Sequence, residues 1–415
     1  MSKNLRRTAI RLALIATVAV LPLLLLTPAG APIARPTAGM GAVLGHDFTP
    51  PVSLGRLAAI QLAALHAAHR DIPGGSGIVQ YLASHGNGAL FSYLLASDGS
   101  TEIAFWNATT NTITKVQNLG NGPLTFMNGL FWAGDRYVFA VYDASSGTTS
   151  WETYSTGFGI TLVSTPLPVT ADWTLVGVAG GYLFVSGSSD LYALNESSFA
   201  IANDFGPLLP TGASISAVDL QAGRLYLGGS IVPVSGGSYA LYGYLDLIAN
   251  TFVQLSPTEV YPSYYGTSVY SITVAAGNVY FAGGAVILQT SPTFLFYTAG
   301  SVYESYDPTT STVTNLSSLL PPAAAADQVL FLHGQVGVVS AFFNDSSLTL
   351  TIRPGFFILH PTTATVTNDT SKVGKNFGVL VDESSVSANS LFMGGEDLLN
   401  GETEVAHFPV SEFVS

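Results

Sequence analysis

The chain has 415 residues with 26 acidic and 13 basic side chains, a formal charge of −13, and only 9% charged residues where soluble proteins usually carry about 25%. Its 48% apolar and 11% aromatic residues supply ample core material, which excludes a disordered chain. No stripe of Lys or Arg is available to displace counterions from a phosphate backbone, which argues against nucleic acid as a partner.

Lys3, Arg6, Arg7 and Arg11 open the chain, followed by the apolar run from Leu12 to Leu26, interrupted by Pro22, and by Ala29-Gly30-Ala31. A membrane-spanning helix needs about 20 apolar residues, so residues 1–31 read as an export signal. Pro32 is unfavourable beside a scissile bond, so the alternative is a retained N-terminal anchor, the chain's one route to a membrane. Export leads to an expectation of extracellular or cell-surface localisation. With no Cys at all, such a protein must rely on packing and sheet closure instead of disulfides. Asn107, Asn195, Asn315, Asn344 and Asn368 stand in Asn-X-Ser/Thr triplets and are glycosylation candidates. The low density of ionisable groups suggests an acidic, hot exterior, because it makes stability less dependent on pH.

Residues 32–75 read as a Pro-, Gly- and Ala-rich linker carrying one short helix at about 52–70. In that helix Leu54, Leu57, Ala58, Gln61, Leu62 and Leu65 share a face, and Pro73-Gly74-Gly75 ends it. His66 and His69 lie i, i+3 on it and could chelate a metal; a polar helix end is the plainer account.

From residue 76 to 415 one mark recurs, a turn residue able to take positive φ followed by an apolar run. It falls at Gly86, Gly134, Gly180, Gly223, Gly277, Gly334 and Asn389, at intervals of 43 to 57 residues. Tight hairpins need positive φ in the turn. Recurrence at this period predicts an all-β fold, a seven-bladed β-propeller of four-stranded blades with strands a to d from centre to rim. A second mark falls in the c–d hairpins: Trp106-Asn107-Ala108-Thr109, Leu194-Asn195-Glu196-Ser197, Tyr306-Asp307-Pro308-Thr309 and Leu359-His360-Pro361-Thr362. The ring closes either through the last strand, Ser411 to Val414, or through an N-terminal strand near Ile78 to Leu82.

These marks resemble the kelch-type β-propellers, whose repeats carry a Gly-Gly pair on the second strand and an Asp-Pro-x-Thr turn between the third and fourth. Gly228-Gly229, Gly283-Gly284 and Gly394-Gly395 supply the pair, and Tyr306-Asp307-Pro308-Thr309 the turn. Four units lack the double Gly, and the Trp that usually follows the turn is missing. The resemblance implies a fold and no particular activity. Kelch-like enzymes that hold copper through a Tyr–Cys crosslink are excluded by the absence of Cys.

A sialidase needs three converging Arg and Asp-box turns. Here Arg136 and Arg224 lie beside a–b hairpins, Arg353 is elsewhere, and no Asp box is present. No G-x-S-x-G, P-loop or H-E-x-x-H motif occurs. Glu396, Asp397, Glu402 and Glu404 flank one hairpin turn and could supply oxygen ligands to Ca²⁺, the one cofactor considered, although a solvated b–c loop explains them as well. Glycosidase chemistry needs two carboxylates about 5 to 9.5 Å apart, which the sequence does not pick out.

The b–c and d–a connections share one face of a propeller, and in units four to six they are long: Ile231 to Ser238, Tyr261 to Tyr265, Leu288 to Tyr297 and Asn344 to Arg353. Tyr261, Tyr264, Tyr265, Phe296 and Tyr297 on these segments offer stacking faces beside Ser and Thr hydroxyls, suited to a sugar or a protein surface. The expected function is therefore a non-catalytic module binding a glycan or an envelope protein. The alternatives are an extracellular hydrolase acting on polysaccharide and a structural subunit of an extracellular assembly.

Overall fold

The computed structural model describes residues 68–414 apart from 121, 169–171, 188–189, 233–238, 257–263, 291–293, 322–323, 346–349, 378, 388 and 398–400. These residues form a seven-bladed propeller of four-stranded antiparallel sheets. Blades 1 to 6 are continuous in sequence, over residues 75–118, 125–163, 174–204, 213–254, 264–315 and 324–368. Blade 7 takes its three inner strands from residues 379–409 and its outermost strand from Ala68–Ile72. The innermost strands of successive blades neighbour one another around the whole ring.

The turn residues behave as their chemistry requires. Ala222-Gly223, Ala276-Gly277 and His333-Gly334 have positive φ at both central positions (50° and 76°, 49° and 84°, 46° and 89°), the pattern of the type I′ turn that matches the twist of a two-residue hairpin. In the c–d hairpins the Asn or Asp carbonyl-type oxygen accepts the amides two and three residues on. Asn107 takes Thr109 and Thr110, Asn195 takes Ser197 and Ser198, and Asp307 takes Thr309 and Thr310.

Burial grades outward along each sheet. The second strand of blade 1, Gly88–Leu95, is almost wholly buried, whereas the outermost strands Ile201–Asp204 and Thr312–Asn315 are exposed throughout. The buried side chains divide into seven clusters, each spanning the seam between two neighbouring blades. Such a core is repetitive and nearest-neighbour in character, so its stability depends on closing the ring.

Closure differs from both routes expected. Ala68–Ile72 pairs with Thr403–His407, and Ser411 to Val414 lies in and after a 3₁₀ turn, Val410–Glu412. Ile78 to Leu82 belongs to the inner strand of blade 1, Gly75–His85. The propeller thus begins at Ala68 rather than 76, and Ala68 to Arg70, read as the end of a helix, are strand because the edge of blade 7 needs a partner for its backbone groups. The remainder of that helix and residues 1–31 lie outside the described residues. An α-helix not anticipated from sequence, Thr370–Phe377, connects blade 6 to blade 7. Among the described residues no helix is long and apolar enough to cross a membrane.

Candidate functional site

Two features converge on the face that carries the b–c and d–a connections. The first is a pair of arms. Leu288 to Tyr297 and Asn344 to Arg353, read as loops, are instead mostly hairpin. In blade 5 the strands Tyr264–Ala275, Asn278–Thr290 and Phe294–Asp307 run 12, 13 and 14 residues. In blade 6 Gln335–Asp345 and Leu350–His360 run 11 residues each. The continuous apolar and β-branched composition of these segments favours pairing over irregular loop. Register places Tyr264 opposite Ile287 and Ile287 opposite Tyr297, so the two tyrosines occupy one row across the arm. Tyr265 pairs with Val286, and Phe296 with Leu288. Tyr261 lies outside the described residues, as do residues 233–238 of the expected loop in unit four.

The second feature is the lining of the central channel. All seven inner strands carry one extra residue relative to their partner at the same height. The slips fall between Val79 and Tyr81, Met127 and Leu130, Leu175 and Gly177, Ile215 and Ala217, Val269 and Ser271, Ala326 and Gln328, and Val381 and Glu383. A bulge bends the strand and redirects side chains. Here polar groups at or beside several of these slips hydrogen-bond to the next blade. Gln328 Nε2 donates to Glu383 Oε2 at 2.6 Å, and Ser384 Oγ donates to Gln328 Oε1. Asn128 Nδ2 donates to Asp172 Oδ1 at 2.6 Å and to the Trp173 carbonyl at 3.0 Å. Ser216 Oγ donates to the Val269 carbonyl, and Ser271 Oγ accepts the Val329 amide at 3.1 Å.

Tyr81, Tyr270 and Glu383 are half-buried on the innermost strands of blades 1, 5 and 7. Burial pushes the Glu383 carboxyl up to about 8, with the charge of Asp327 adding to it and the Gln328 hydrogen bond opposing. Burial also raises the Tyr81 phenol, reinforced by Glu383 and Asp172, and the Tyr270 phenol, reinforced by Asp327. Asp219 on the inner strand of blade 4 is raised by burial as well. The channel therefore gathers carboxylates and phenols in mutual electrostatic reach, and it holds at least one carboxyl that stays protonated near neutrality.

Sequence reading missed this lining. A faint signal exists: Gln80 and Asn128 precede Gly86 and Gly134 by six residues, and Ser216, Tyr270 and Asp327 precede Gly223, Gly277 and Gly334 by seven. The residue types differ, so only the bulge itself makes the positions equivalent.

The acidic hairpin of blade 7 is not brought together as ligands. Glu396 pairs with Thr403 and Gly395 with Glu404, so the buried carboxyls of Glu396 and Glu404 project to opposite faces of the sheet. Glu396 packs against Gly77 of blade 1, and Glu404 lies opposite Asp71. Glu402 is half-buried, and only the backbone of Asp397 is described. Among the described residues no three His, Asp or Glu side chains gather to hold a metal.

The triplet asparagines have a structural task. Asn107, Asn195, Asn315 and Asn368 each accept the amide of the Ser or Thr two residues on. Asn344 pairs with Thr351 in the arm of blade 6, and its side chain lies outside the described residues.

Neither a protein-family model nor a curated protein sequence matches the chain. Solved structures do match in fold. The β-propeller domain of the Trilobed protease from Pyrococcus furiosus, described as having an open velcro topology, superposes with a TM-score of 0.53 at 8% identity, covering 81% of this chain and 98% of that one. YCF48 bound to D1 peptide gives 0.51 at 8% identity, covering 87% and 99%. A GH74 xyloglucanase from Xanthomonas campestris gives 0.53 at 11% identity, covering 79% of this chain and 52% of the enzyme. These identities establish the propeller fold and nothing finer. Unlike an open velcro, the ring here is shut by Ala68–Ile72.

Proposed function

We propose that this chain is a non-catalytic binding module acting outside the cell, a diverged kelch-like propeller whose recognition surface is the face bearing the arms of blades 5 and 6. The observation that carries the reading is the row Tyr264–Ile287–Tyr297 across a hairpin that outreaches those of blades 1 to 4 and 7. Cross-strand pairing fixes the backbone positions of these residues relative to one another, and a preordered backbone lowers the ordering cost of binding. A glycan or an envelope protein suits a surface of aromatic and hydroxyl groups with few charges. Propellers serve both as binding domains and as enzyme scaffolds, so the fold is compatible with this use without selecting it.

The test is binding of the purified protein to glycan arrays and to cell-envelope preparations. Tyr264→Ala combined with Tyr297→Ala should weaken binding at least tenfold while leaving the unfolding midpoint within about 1 kcal/mol of the parent. Unchanged binding by this variant would remove the arm from the site.

A second reading, hydrolysis of polysaccharide, rests on the channel, where Glu383 is protonated near neutrality beside Asp327. A carboxyl raised toward neutrality is one of the two groups that general acid and base chemistry requires. Turnover of polysaccharide that is abolished by Glu383→Gln would establish this reading and displace the first.

A further inference from the structure

On the opposite face, where the a–b and c–d hairpins turn, a cavity of about 450 Å³ opens between blades 4 and 5, within the size range of small-molecule sites. Tyr226 lines it, and behind Tyr226 two further buried tyrosines complete a cluster that straddles the seam. Tyr226 and Tyr244 are cross-strand partners in blade 4, and Tyr306 comes from blade 5. Their ring centroids stand 5.8, 5.9 and 6.2 Å apart. All three rings are buried. Over Tyr244, with its guanidinium carbon 4.7 Å from the ring centroid, lies Arg224, which is also hydrogen-bonded to the Tyr226 hydroxyl.

Arg224 differs from other cations of this acidic chain. Lys115, Arg136 and Lys372 each have a carboxylate within 4 Å, and Arg136 also donates to the Glu196 carbonyl. Among the described residues Arg224 forms no ion pair within 4 Å. The carboxylate nearest in register is Asp246, its cross-strand partner, whose pKa is lowered by the Ala249 and Ile248 amides and, to a lesser degree, by the Arg224 charge. Arg224 lines the cavity while contacting the Tyr244 ring and the Tyr226 phenol, and a guanidinium in such a place can bind a planar carboxylate. Beside it stand acceptors. Asp246 lines the cavity while its Oδ1 takes the Ile248 and Ala249 amides, and Thr309 lines it from the facing blade. The turn residues Gly223 and Gly277 border open space, so nothing crowds the entrance.

We propose that this cleft binds a hydroxy-carboxylate of about the size of one uronic acid residue, its carboxylate on Arg224 and its hydroxyls on Asp246 and Thr309. Arg224 and Asp246 face each other across the strand pair, so a bare anion would be opposed by Asp246, and a neutral sugar would give Arg224 no carboxylate within hydrogen-bond range. A hydroxy-carboxylate satisfies both, because polar groups left unpaired on burial are what a complementary site avoids. The site is separate from the arm of blade 5 and stands whether or not the arm binds anything.

The test is a ligand-observed NMR titration of the full chain with glucuronate and galacturonate, against glucose, galactose and acetate. Saturable binding of a uronate, at least tenfold tighter than the matching neutral sugar and than acetate, is the expected result. Arg224→Met should weaken it at least tenfold, Asp246→Asn should reduce the preference over acetate, and raising NaCl from about 50 to 500 mM should weaken binding of the parent. If Arg224→Met does not fold, Arg224→Lys and the salt dependence of the parent decide instead. Equal binding of glucose, insensitivity to both Arg224 substitution and salt, or no saturable uronate binding would each overturn the proposal.

Discussion

Gln328 Nε2 stands 2.6 Å from Glu383 Oε2 across the seam joining blade 6 to blade 7. Glu383 stands on the innermost strand of blade 7 within electrostatic reach of Tyr81, and its carboxyl is raised from 4.5 to about 8, chiefly by burial. Buried Glu304 in blade 5 is likewise raised, to about 7. In both the folded state binds protons more tightly than the unfolded chain does. Their contribution is therefore complete below pH 4.5 and is lost as pH rises toward 8. The lowered carboxyls of Asp98, Asp143, Asp246 and Asp307, which accept turn amides or hydroxyls, act in the other direction below their ordinary value of 3.8. Stability should peak on the acidic side of neutral and fall by roughly 1–3 kcal/mol between pH 5 and 8.5, a figure discounted because Glu383 retains accessible surface. Denaturant midpoints measured across this range check it, and Glu383→Gln should flatten the decline.

Ile72, 5% exposed, lies in the cluster at the seam of blades 1 and 7, on the strand that closes the ring. Beside it the Gly77 amide donates to Thr403 Oγ1 at 3.2 Å, and elsewhere along the same seam Ser84 and Ser385 pair their hydroxyls at 2.8 Å. Ile72→Ala should cost about 2–5 kcal/mol. Limited proteolysis should then cut first within residues 68–72. Cutting elsewhere would show that this pairing does not govern closure.

The fold was legible because its signals are local. Gly134, Gly223 and Gly277 announce hairpins through φ, and the polar turn residue of Asn107, Asn195 and Asp307 announces the next one, so two marks in phase count seven blades. The closing strand was not legible, since Ala68 to Ile72 carries no turn mark and its partner Thr403–His407 lies more than 300 residues away. The channel lining escaped for a related reason. A bulge is a property of register between two strands, and Gln80, Asn128, Ser216, Tyr270 and Asp327 share no side-chain chemistry. Glu396 and Glu404 misled in the opposite sense: proximity in sequence suggested shared ligation, and strand alternation separated them.

Ala222 and Ala276 hold φ of 50° and 49° in their hairpins, a conformation that costs an L-residue with a Cβ about 1 kcal/mol or more. Ala222→Gly and Ala276→Gly should each raise stability by about 0.5–1 kcal/mol, after allowing for the greater freedom of Gly in the unfolded chain. Urea midpoints give the sign directly. Two destabilised variants would mean that these turns relax at no cost.

Asn107 and Asn195 hold their c–d turns through a side-chain oxygen that Asp also possesses, and Asp307 does so in blade 5. Asn107→Asp and Asn195→Asp should therefore match the unglycosylated parent within about 0.5 kcal/mol, whereas Asn→Ala should cost about 1 kcal/mol at each site. The comparison separates the turn from glycosylation, because both substitutions destroy the acceptor triplet. Equal losses for Asp and Ala would assign the asparagines a role other than capping.

The double glycines follow from the bulges. Gly229 and Gly283 sit on second strands opposite Ile215 and Val269, immediately before the extra residues Ser216 and Tyr270. A Cβ on Gly283 would stand 2.0 Å from the Ser268 carbonyl oxygen and 2.7 Å from Val269 Cα, and one on Gly229 would stand 1.9 Å from the Ser214 carbonyl oxygen. The atoms in the way are backbone, pinned by the ladder and by the next blade, so they do not yield as a flexible side chain would. Gly283→Ala should thus cost about 3 kcal/mol or more, through overpacking against an unyielding strand. Gly277→Ala provides the comparison, since its Cβ would enter open space and only its φ of 84° opposes the change, at about 1–2 kcal/mol. Guanidinium midpoints for the two variants rank the effects. A Gly283→Ala loss no larger than that of Gly277→Ala would mean that the inner strand can straighten, and the bulge would then be a consequence of the glycine pair instead of its cause.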